Sequence, residues 1–324
     1  MLILTDCPDD FAWPGLSAGD WARGQTRARP ETDADAAPWR ALAPDSEIWW
    51  SAEVPSPEGA GFWRRLIVVR EAPASQFDAL RQLCGDGWAL PGPVATVALT
   101  GRGFHGHRGR VWQTAPGNLH LCAALAPDGM PAREALALVA WPAVAVVEAL
   151  RCAALGGLRP QIKWVNDILL DGRKVAGVLT ASQSQDERVT LALLGIGLNV
   201  RVAPAVPADA FVPRVTSLAA QGVTADVAGA CAGVLAALAR GWADWRARGQ
   251  AALLAPYREA SVVVGRRVAV WDEDAGADAG AHAGGGGPTA PLAEGVVEAI
   301  EDDLRLRLRG RAEPVARGRL ALLD

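Results

Sequence analysis

The sequence predicts an α+β fold, in which a mixed β-sheet with flanking helices spans residues 46–255 and a small β-barrel spans residues 256–324. In the first range the strand-like and helix-like segments are ordered as a mixed sheet with helices, not as a doubly wound sheet. The second range places closely spaced strand-like runs after a helix, which favours a small barrel. Residues 1–45, rich in Pro, Asp, Ala and Arg, predict an irregular N-terminal arm.

Regular patterning begins after this arm. Four elements are predicted first: strands at 64–72, 94–100 and 118–125, and a helix at 75–84. A longer helix opens at Pro131 and stops at Gly156-Gly157, because proline suits the first turn of a helix and glycine suits its end. Pro142 within this helix predicts a kink, since proline removes a backbone hydrogen bond.

The second half of the chain contains a β-hairpin signal. DILL and KVAGVLTAS flank Asp171-Gly172, a dipeptide that fits a tight turn with positive φ at both positions. Four further elements are then predicted: a strand at 188–200, a helix at 224–256, and strand-like runs at 261–271 and 295–310. A low-complexity, glycine-rich loop at 274–290 separates the last two runs.

Composition and charge exclude several classes of protein. The net charge is −4 and no basic face is evident, which argues against nucleic-acid binding. The five cysteines are scattered without a CxxC pair, so we expect reduced thiols in a cytoplasmic protein and not a disulfide or zinc framework. The first residues are acidic where a signal peptide is basic, and no run is apolar enough to span a membrane.

The use of lysine is unusual. Of 32 basic residues only Lys163 and Lys174 are lysine, and asparagine occurs only at positions 118, 166 and 199. This composition is typical of a GC-rich coding sequence, in which a surface lysine can become arginine at little cost. A lysine that serves as a compact point charge cannot be replaced in this way. The retained residues fall in PGNL, KWVND, GRKVAG and GIGLN, which indicates ligand chemistry in these segments.

Two glycine-containing segments suggest how a ligand is held. The loop TGRGFHGHRGRVW, residues 100–112, combines glycines with arginines, which favours a flexible clamp on a phosphate or carboxylate over an ordinary basic surface loop. In GIGLN, Gly195 and Gly197 lie on the same side of a strand and thin that face of the sheet. A ligand lying against the backbone explains this pattern, and a tight packing contact explains it equally well.

The combination of GxRGRxW, PGNLHL, KWVNDILLDGRKVAG and GIGLN resembles the biotin protein ligases, over roughly residues 64–324. The resemblance implies the biotin/lipoate ligase-like fold, followed by an SH3-like C-terminal barrel. It also implies that ATP, with Mg²⁺, adenylates biotin as a substrate, and that the biotinyl group then passes to one lysine of a biotin carboxyl carrier protein domain.

The resemblance assigns roles to individual positions. Lys174 would contact the ligand carboxylate and the α-phosphate, and Arg110 and Asp167 would be the other catalytic residues. Ser75 and Gln76 would occupy the segment that binds the biotin head group. The other implied contacts are the loop residues His105, Gly106, His107, Arg108, Gly109 and Trp112, and the sheet residues Asn118, Lys163, Asn166, Gly177, Gly195, Gly197 and Asn199. A fixed protein metal site is not expected.

The loop departs from the family pattern. His105 and His107 stand where the family has arginines, and Gly101 stands where it has a glutamine. These changes leave open a ligase of the same fold for lipoate or octanoate, or a non-enzymatic ligand-binding paralogue. We expect no repressor role, since no helix-turn-helix pattern precedes the ligase segment. The carrier protein and a homodimeric state are left open.

Overall fold

The computed structural model describes residues 1–25, 36–58, 61–152, 155–209, 211–272 and 290–323. The glycine-rich loop predicted at 274–290 therefore lies outside the described residues, apart from its last position.

One mixed sheet dominates the fold. Its strands, in spatial order, are β2 (Ala22–Gln25), β3 (Ile48–Glu53), β1 (Leu2–Thr5), β4 (Arg65–Ala72), β5 (Val94–Gly101), β6 (Leu119–Leu125), β10 (Arg188–Leu198), β9 (Arg173–Gln185), β8 (Asp167–Leu170) and β7 (Gln161–Lys163). The pairs β1–β4 and β4–β5 are parallel, and the other neighbouring pairs are antiparallel. The predicted α+β class with a mixed sheet is confirmed.

Helices cover both faces of this sheet. The helix α2 (Gln76–Gly85) connects β4 to β5, and it packs on one face together with α1 (Ala36–Leu42). The opposite face is covered by three helices: α3 (Ala137–Arg151), α4 (Val227–Arg248) and α5 (Ala251–Ala260). The single helix predicted at 224–256 is interrupted at Gly249, where φ is 71°. The helix expected from Pro131 begins only at Ala137, after a single 3₁₀ turn.

The two layers of helices explain the apolar run in β4. Leu66 and Val68 pack in the core beneath α3 and α4, while Ile67 and Val69 pack on the side of α1. Successive side chains of a strand point to opposite faces, and helices cover both faces here, so all four residues are buried. Each such burial stabilises the fold by about 1.5–3 kcal/mol.

The prediction of an irregular N-terminal arm over residues 1–45 is wrong for the described part of that range. Strand β1 lies between β3 and β4, with Ile3 fully buried, and α1 begins at Ala36. A four-residue apolar strand carries little local signal. It is stabilised by the strands on both sides, which come from later in the chain.

The tight hairpin is as predicted. Asp171 and Gly172 have φ values of 48° and 70° and join β8 to β9. Such a turn matches the twist of the two strands it connects.

The C-terminal region differs from a closed barrel. In the described residues it is an open antiparallel sheet in the order β13 (Leu306–Leu308), β12 (Ala293–Ile300), β11 (Arg267–Trp271) and β14 (Arg319–Leu322). The strand predicted at 295–310 breaks near Leu304, where φ is 64°, so its second half folds back as β13. Helix α5 runs across the predicted boundary at 255/256, and that boundary stays a prediction.

Hydrogen bonds fasten the C-terminal sheet to the end of the large sheet. The backbone N–H of Val262 donates to the carbonyl of Ile162 at 2.9 Å, and the indole N–H of Trp164 donates to the carbonyl of Leu304 at 2.8 Å. These bonds join the segment before β11 and the turn between β12 and β13 to β7, which carries Lys163, and to the residue that follows it. Within the described ranges, no helix is long and apolar enough to cross a lipid bilayer.

Candidate active site

A row of register partners crosses five strands of the large sheet. His120 on β6 pairs with Gly197 on β10, which pairs with Gly177 on β9. Gly177 pairs in turn with Asp167 on β8, which pairs with Lys163 on β7. Directly paired residues point to the same face, so this row presents an imidazole at one end, a carboxylate and an ammonium at the other, and bare backbone between them.

A cavity of about 490 Å³ lies over this row. Five lining residues carry positive charge and two carry negative charge: Arg110, Lys163, Lys174, Arg317 and Arg319, against Asp167 and Asp303. The volume suits a small organic ligand, and the surplus of positive charge favours an anionic one.

Lys174 and Asp167 form the central ion pair of the cavity. The Nζ of Lys174 is 2.6 Å from Oδ1 of Asp167, and the two side chains are 19% and 17% exposed. The backbone on both sides of Lys174 is held by hydrogen bonds with Arg214 and Thr216. This lysine is therefore positioned by two strands and by the segment that follows β10.

Lys163 is the more buried of the two lysines. Its Nζ donates to the carbonyl of Phe211 at 2.8 Å, and only 5% of the residue is exposed. Burial lowers the pKa of Lys163 to about 8, while nearby Asp167 opposes the shift. The ammonium is still charged at neutral pH, and an anion would stabilise it further.

Trp112 lies on the glycines of the row. A Cβ at Gly197 would come 2.2 Å from Cζ2 of the indole, and one at Gly177 would come 3.4 Å from its Cζ3. Gly195 is covered similarly by Phe77 of α2, at 3.2 Å. The sequence left a ligand and a packing contact as equal explanations for these glycines, and in this structure aromatic rings occupy the space.

His120 is a site residue that the sequence analysis did not select. The indole N–H of Trp112 donates to its Nδ1 at 3.2 Å, and because an indole can only donate, the proton of the neutral imidazole lies on Nε2. Burial lowers the pKa of His120 to about 4, so the ring is neutral at pH 7. A signal was available, since histidine interrupts the apolar strand LHLCAAL.

A side-chain contact joins the loop from Phe104 to Trp112 to α2. Nε2 of His105 is 2.6 Å from Oδ2 of Asp78, and its Nδ1 is 3.1 Å from the carbonyl oxygen of Gly106. The hydrogen bond with Asp78 raises the pKa of His105, and the Gly106 carbonyl adds to this shift. The loop is itself a small hairpin, closed by backbone bonds between its two sides.

The loop residues are not equivalent. His105, Gly106, His107, Arg110 and Trp112 line the cavity, and their contact with a ligand stays a prediction. Arg108 and Gly109, with φ values of 56° and 71°, form the tip and lie outside the lining residues. Their contact with a ligand stays a prediction.

Asn118 was expected to bind substrate, and the structure corrects this. Its Oδ1 accepts three backbone N–H bonds, from Val200, Arg201 and Val202 at 3.0–3.1 Å, and its Nδ2 donates to the carbonyl of Val202 at 2.9 Å. The residue is fully buried outside the cavity lining. Asn118 therefore holds the turn after β10.

Asn166 and Asn199 do line the cavity, with part of each amide committed to the backbone. Nδ2 of Asn166 donates to the carbonyl of Val178 at 2.7 Å, and Nδ2 of Asn199 donates to that of Thr216 at 3.0 Å. Asn166 directly precedes Asp167, and the backbone N–H of Asn199 donates to the carbonyl of Val175, the residue after Lys174. Both asparagines therefore lie next to the residues of the ion pair.

Ser75 and Gln76 also line the cavity, at the start of α2. The Ser75 hydroxyl accepts the backbone N–H of Asp78, as an N-cap. Both polar atoms of the Gln76 amide make a hydrogen bond, since Nε2 donates to the carbonyl of His120 at 2.5 Å and Oε1 accepts from the hydroxyl of Thr96 at 2.8 Å. Each of these atoms can make one further hydrogen bond, because the amide nitrogen has two N–H groups and the oxygen has two lone pairs.

Comparison with known proteins defines the class. Residues 89–199 match the Biotin/lipoate A/B protein ligase family. The biotin--[acetyl-CoA-carboxylase] ligase of Paracoccus denitrificans is 35% identical over 231 residues, covering 71% of this chain and 87% of that protein. The bifunctional ligase/repressor BirA of Bacillus subtilis is 35% identical over 158 residues, covering 48% of this chain and 47% of that protein.

The fold comparison agrees. The biotin protein ligase of Aquifex aeolicus, solved in complex with biotin and ATP, superposes with a TM-score of 0.58 at 20% identity, covering 80% of this chain and 98% of that one. The chain matches about half the length of the Bacillus relative and most of the Paracoccus one. The chain belongs to the biotin protein ligase family.

Proposed function

We propose that this protein is an ATP-dependent ligase that adenylates biotin and transfers the biotinyl group to a lysine of a biotin carboxyl carrier domain. The observation that carries the proposal is the Lys174–Asp167 pair, which lies in a cavity with surplus positive charge, in a chain of this family. ATP enters as its Mg²⁺ complex, which is a substrate.

In the first step, a carboxylate oxygen of biotin attacks the α-phosphorus of ATP. A C–O–P mixed anhydride forms, the bond between the α-phosphorus and the bridging oxygen breaks, and pyrophosphate leaves with that oxygen. Both reactants are anions, so positive groups held where charge accumulates lower the barrier. Lys174 supplies such a charge as a compact ammonium, and Arg110 on the loop supplies a second one.

Asp167 and Lys163 position this charge. Asp167 holds the Lys174 ammonium at 2.6 Å and so limits its rotamers before substrates bind. Lys163, anchored on Phe211, adds positive potential at the same end of the row. The loop 104–112 then covers the product and keeps water from the anhydride.

In the second step, the neutral amine of the carrier lysine attacks the acyl carbon of the anhydride. An amide forms, the acyl–oxygen bond breaks, AMP leaves with that oxygen, and the nitrogen loses a proton to solvent. The charge that stabilised the first transition state also stabilises the departing AMP.

A second candidate substrate is an apolar acid such as lipoate or octanoate. Phe77 covers Gly195, and Leu179 and Cys122 line the same part of the cavity. Each polar atom of the Gln76 amide already makes one hydrogen bond within the protein, whereas a biotin head group requires hydrogen-bond partners. These contacts favour an apolar tail at that end of the cavity.

ATP–pyrophosphate exchange with biotin, lipoate and octanoate in parallel tests both candidates. Exchange that depends on biotin supports the first proposal, and exchange that depends only on lipoate or octanoate selects the second. If none of the acids supports exchange, the protein is a ligand-binding paralogue without ligase activity. Transfer to a purified biotin carboxyl carrier domain tests the second step.

The proposal also includes the cellular setting. The five cysteines are free thiols, which suits the cytoplasm, where the carrier domain would be met. Nucleic acid is not a partner in this proposal, and tight sequence-specific binding in a gel shift at physiological salt would contradict it.

A further inference from the structure

The side-chain amines of the chain bear on the fate of the reactive intermediate. Lys163 and Lys174 are the only lysines in the 324-residue sequence. An acyl-adenylate reacts with any neutral amine that reaches it. The amine attacks the acyl carbon, an amide forms, AMP leaves with the bridging oxygen, and the nitrogen loses a proton to solvent. A ligase that holds this intermediate therefore exposes its own lysines to acylation.

Contacts within the protein protect both lysines. The Nζ of Lys174 is 2.6 Å from Oδ1 of Asp167, and an ammonium in an ion pair has no lone pair with which to attack. Lys163 is only 5% exposed, and its Nζ donates to the carbonyl of Phe211 at 2.8 Å. Burial lowers the pKa of Lys163 to about 8, so above this pH its amine is mostly neutral and the same burial is what shields it.

The other cations of the cavity are arginines. Arg110, Arg317 and Arg319 line it, and a guanidinium stays protonated at physiological pH. These residues supply positive charge without a nucleophilic lone pair. Cys122 also lines the cavity, but burial raises the pKa of its thiol, so the nucleophilic thiolate does not form. Among the described residues, the cavity thus combines positive charge with amines that are engaged or shielded.

We propose that this chain is refractory to acylation by its own acyl-adenylate, because its lysines are engaged and the other cations around the intermediate are arginines. The acyl group then passes only to an amine that a partner brings to the cavity. The inference rests on the proposed function in naming the acyl-adenylate as the reactive species.

Synthetic biotinyl adenylate, added to the full chain and followed by peptide mass spectrometry, tests this without any catalysis by the protein. We expect neither lysine to be modified at pH 7 or at pH 9, whereas both should be modified in the chain unfolded with guanidinium. The alkaline condition is the more severe one, since Lys163 is then mostly neutral. Acylation of either lysine in the folded wild-type protein overturns the proposal.

A lysine introduced at the rim tests whether the absence of a free amine there is what protects the chain. Val111 lines the cavity on the loop and is 83% exposed, so Val111→Lys should fold and present a free amine. Leu292→Lys is the control, because Leu292 is 55% exposed but does not line the cavity. We expect acylation at position 111 to be about 10-fold faster or more, since adenylate bound in the cavity has a high effective concentration at the rim. Val111→Arg adds the same charge without a nucleophile and should stay unmodified.

The outcomes separate this proposal from the proposed function. Equal acylation of Val111→Lys and Leu292→Lys counts against it, and so does an unmodified Val111→Lys, because a free amine at the rim would then make no difference. Failed ATP–pyrophosphate exchange with every acid, together with the expected pattern of labelling by added adenylate, overturns the ligase assignment and leaves this proposal standing. Active exchange together with acylated wild-type lysines does the reverse.

Discussion

The two sides of the cavity are built differently. Lys163, Asp167 and Lys174 lie on neighbouring strands whose ladder sets their spacing, and two of them form a 2.6 Å ion pair. On the opposite side, His105 and Trp112 belong to a loop, and their side chains contact Asp78 and His120.

This difference indicates which side reacts and which side adapts. A strand ladder fixes side chains before a ligand arrives, which is what charge stabilisation in a transition state requires. A loop can exchange side-chain contacts of this kind for contacts with a ligand. Adenylation should therefore be sensitive to small changes in side-chain shape on the strand side. On the loop side it should be sensitive to changes that alter closure of the loop.

The strongest test of the strand side is Lys174→Arg. The substitution keeps the charge, but the wider guanidinium should misplace the ligand, so adenylation should fall on the order of 10²-fold. The control is Arg173→Lys, next along β9 but exposed, which should cost little. Near-normal exchange by folded Lys174→Arg would remove Lys174 from the mechanism, and thermal melting would establish that it is folded.

Asn118→Ala tests whether the turn behind the strand side is structural. Three backbone N–H groups lose their shared acceptor, so the free energy of unfolding should fall by about 2 kcal/mol. Asn118→Asp keeps an acceptor and should lose less. Chemical denaturation measures both variants, and equal stability of Asn118→Ala and wild type would return Asn118 to the list of ligand contacts.

Gly197→Ala tests the contact between the two sides. The added Cβ would overlap the Trp112 indole and push the loop off the sheet, so the specificity constant for adenylation should fall about 10-fold. Gly295→Ala, on β12, meets its nearest atom at an ordinary 3.5 Å and serves as the control. An unchanged specificity constant in Gly197→Ala would mean that the position of Trp112 is unimportant.

The smallest expected effect is the pH dependence of the loop. The bond with Asp78 raises the pKa of His105, so this contact stabilises the closed loop fully below pH 6.5 and is lost as pH rises through the raised pKa. The ratio of trypsin cleavage at Arg108 and Arg110 in the wild-type protein to that in Asp78→Asn, measured at the same pH, should rise about 3-fold from pH 5.5 to 8. The effect is small because the pair is partly solvated. A constant ratio across pH 5.5–8 would make His105 a spectator.

Local signals predicted much of the fold. The hairpin at Asp171-Gly172 could be predicted because the dipeptide itself favours the positive φ values of a tight turn. The two lysines could be selected because all the other basic residues are arginine. Strand β1 could not be predicted from its own four residues, since it is stabilised by its neighbours β3 and β4, which come from later in the chain.

The site residues that escaped prediction share one physical reason. Arg319 and Phe211 reach the cavity from segments far from the motifs, and their position there depends on the docking of the C-terminal sheet. The covering of Gly197 by Trp112 was likewise open, because glycine alternation does not reveal what fills the groove. Local sequence reports which residues are unusual, whereas tertiary contacts decide what they meet.

The row across the sheet also has a consequence for the order of folding. Its carboxylate and ammonium end lies within residues 163–174, in strands joined by tight turns, and such hairpins form in microseconds. The imidazole end requires β6 to pair with β10, which closes a long loop and is intrinsically slow. We expect the amides of β8 and of the first residues of β9 to be protected from exchange before those of β6 during refolding. Pulsed hydrogen exchange would show this order, and simultaneous protection of both ends would mean that the cavity assembles in a single step.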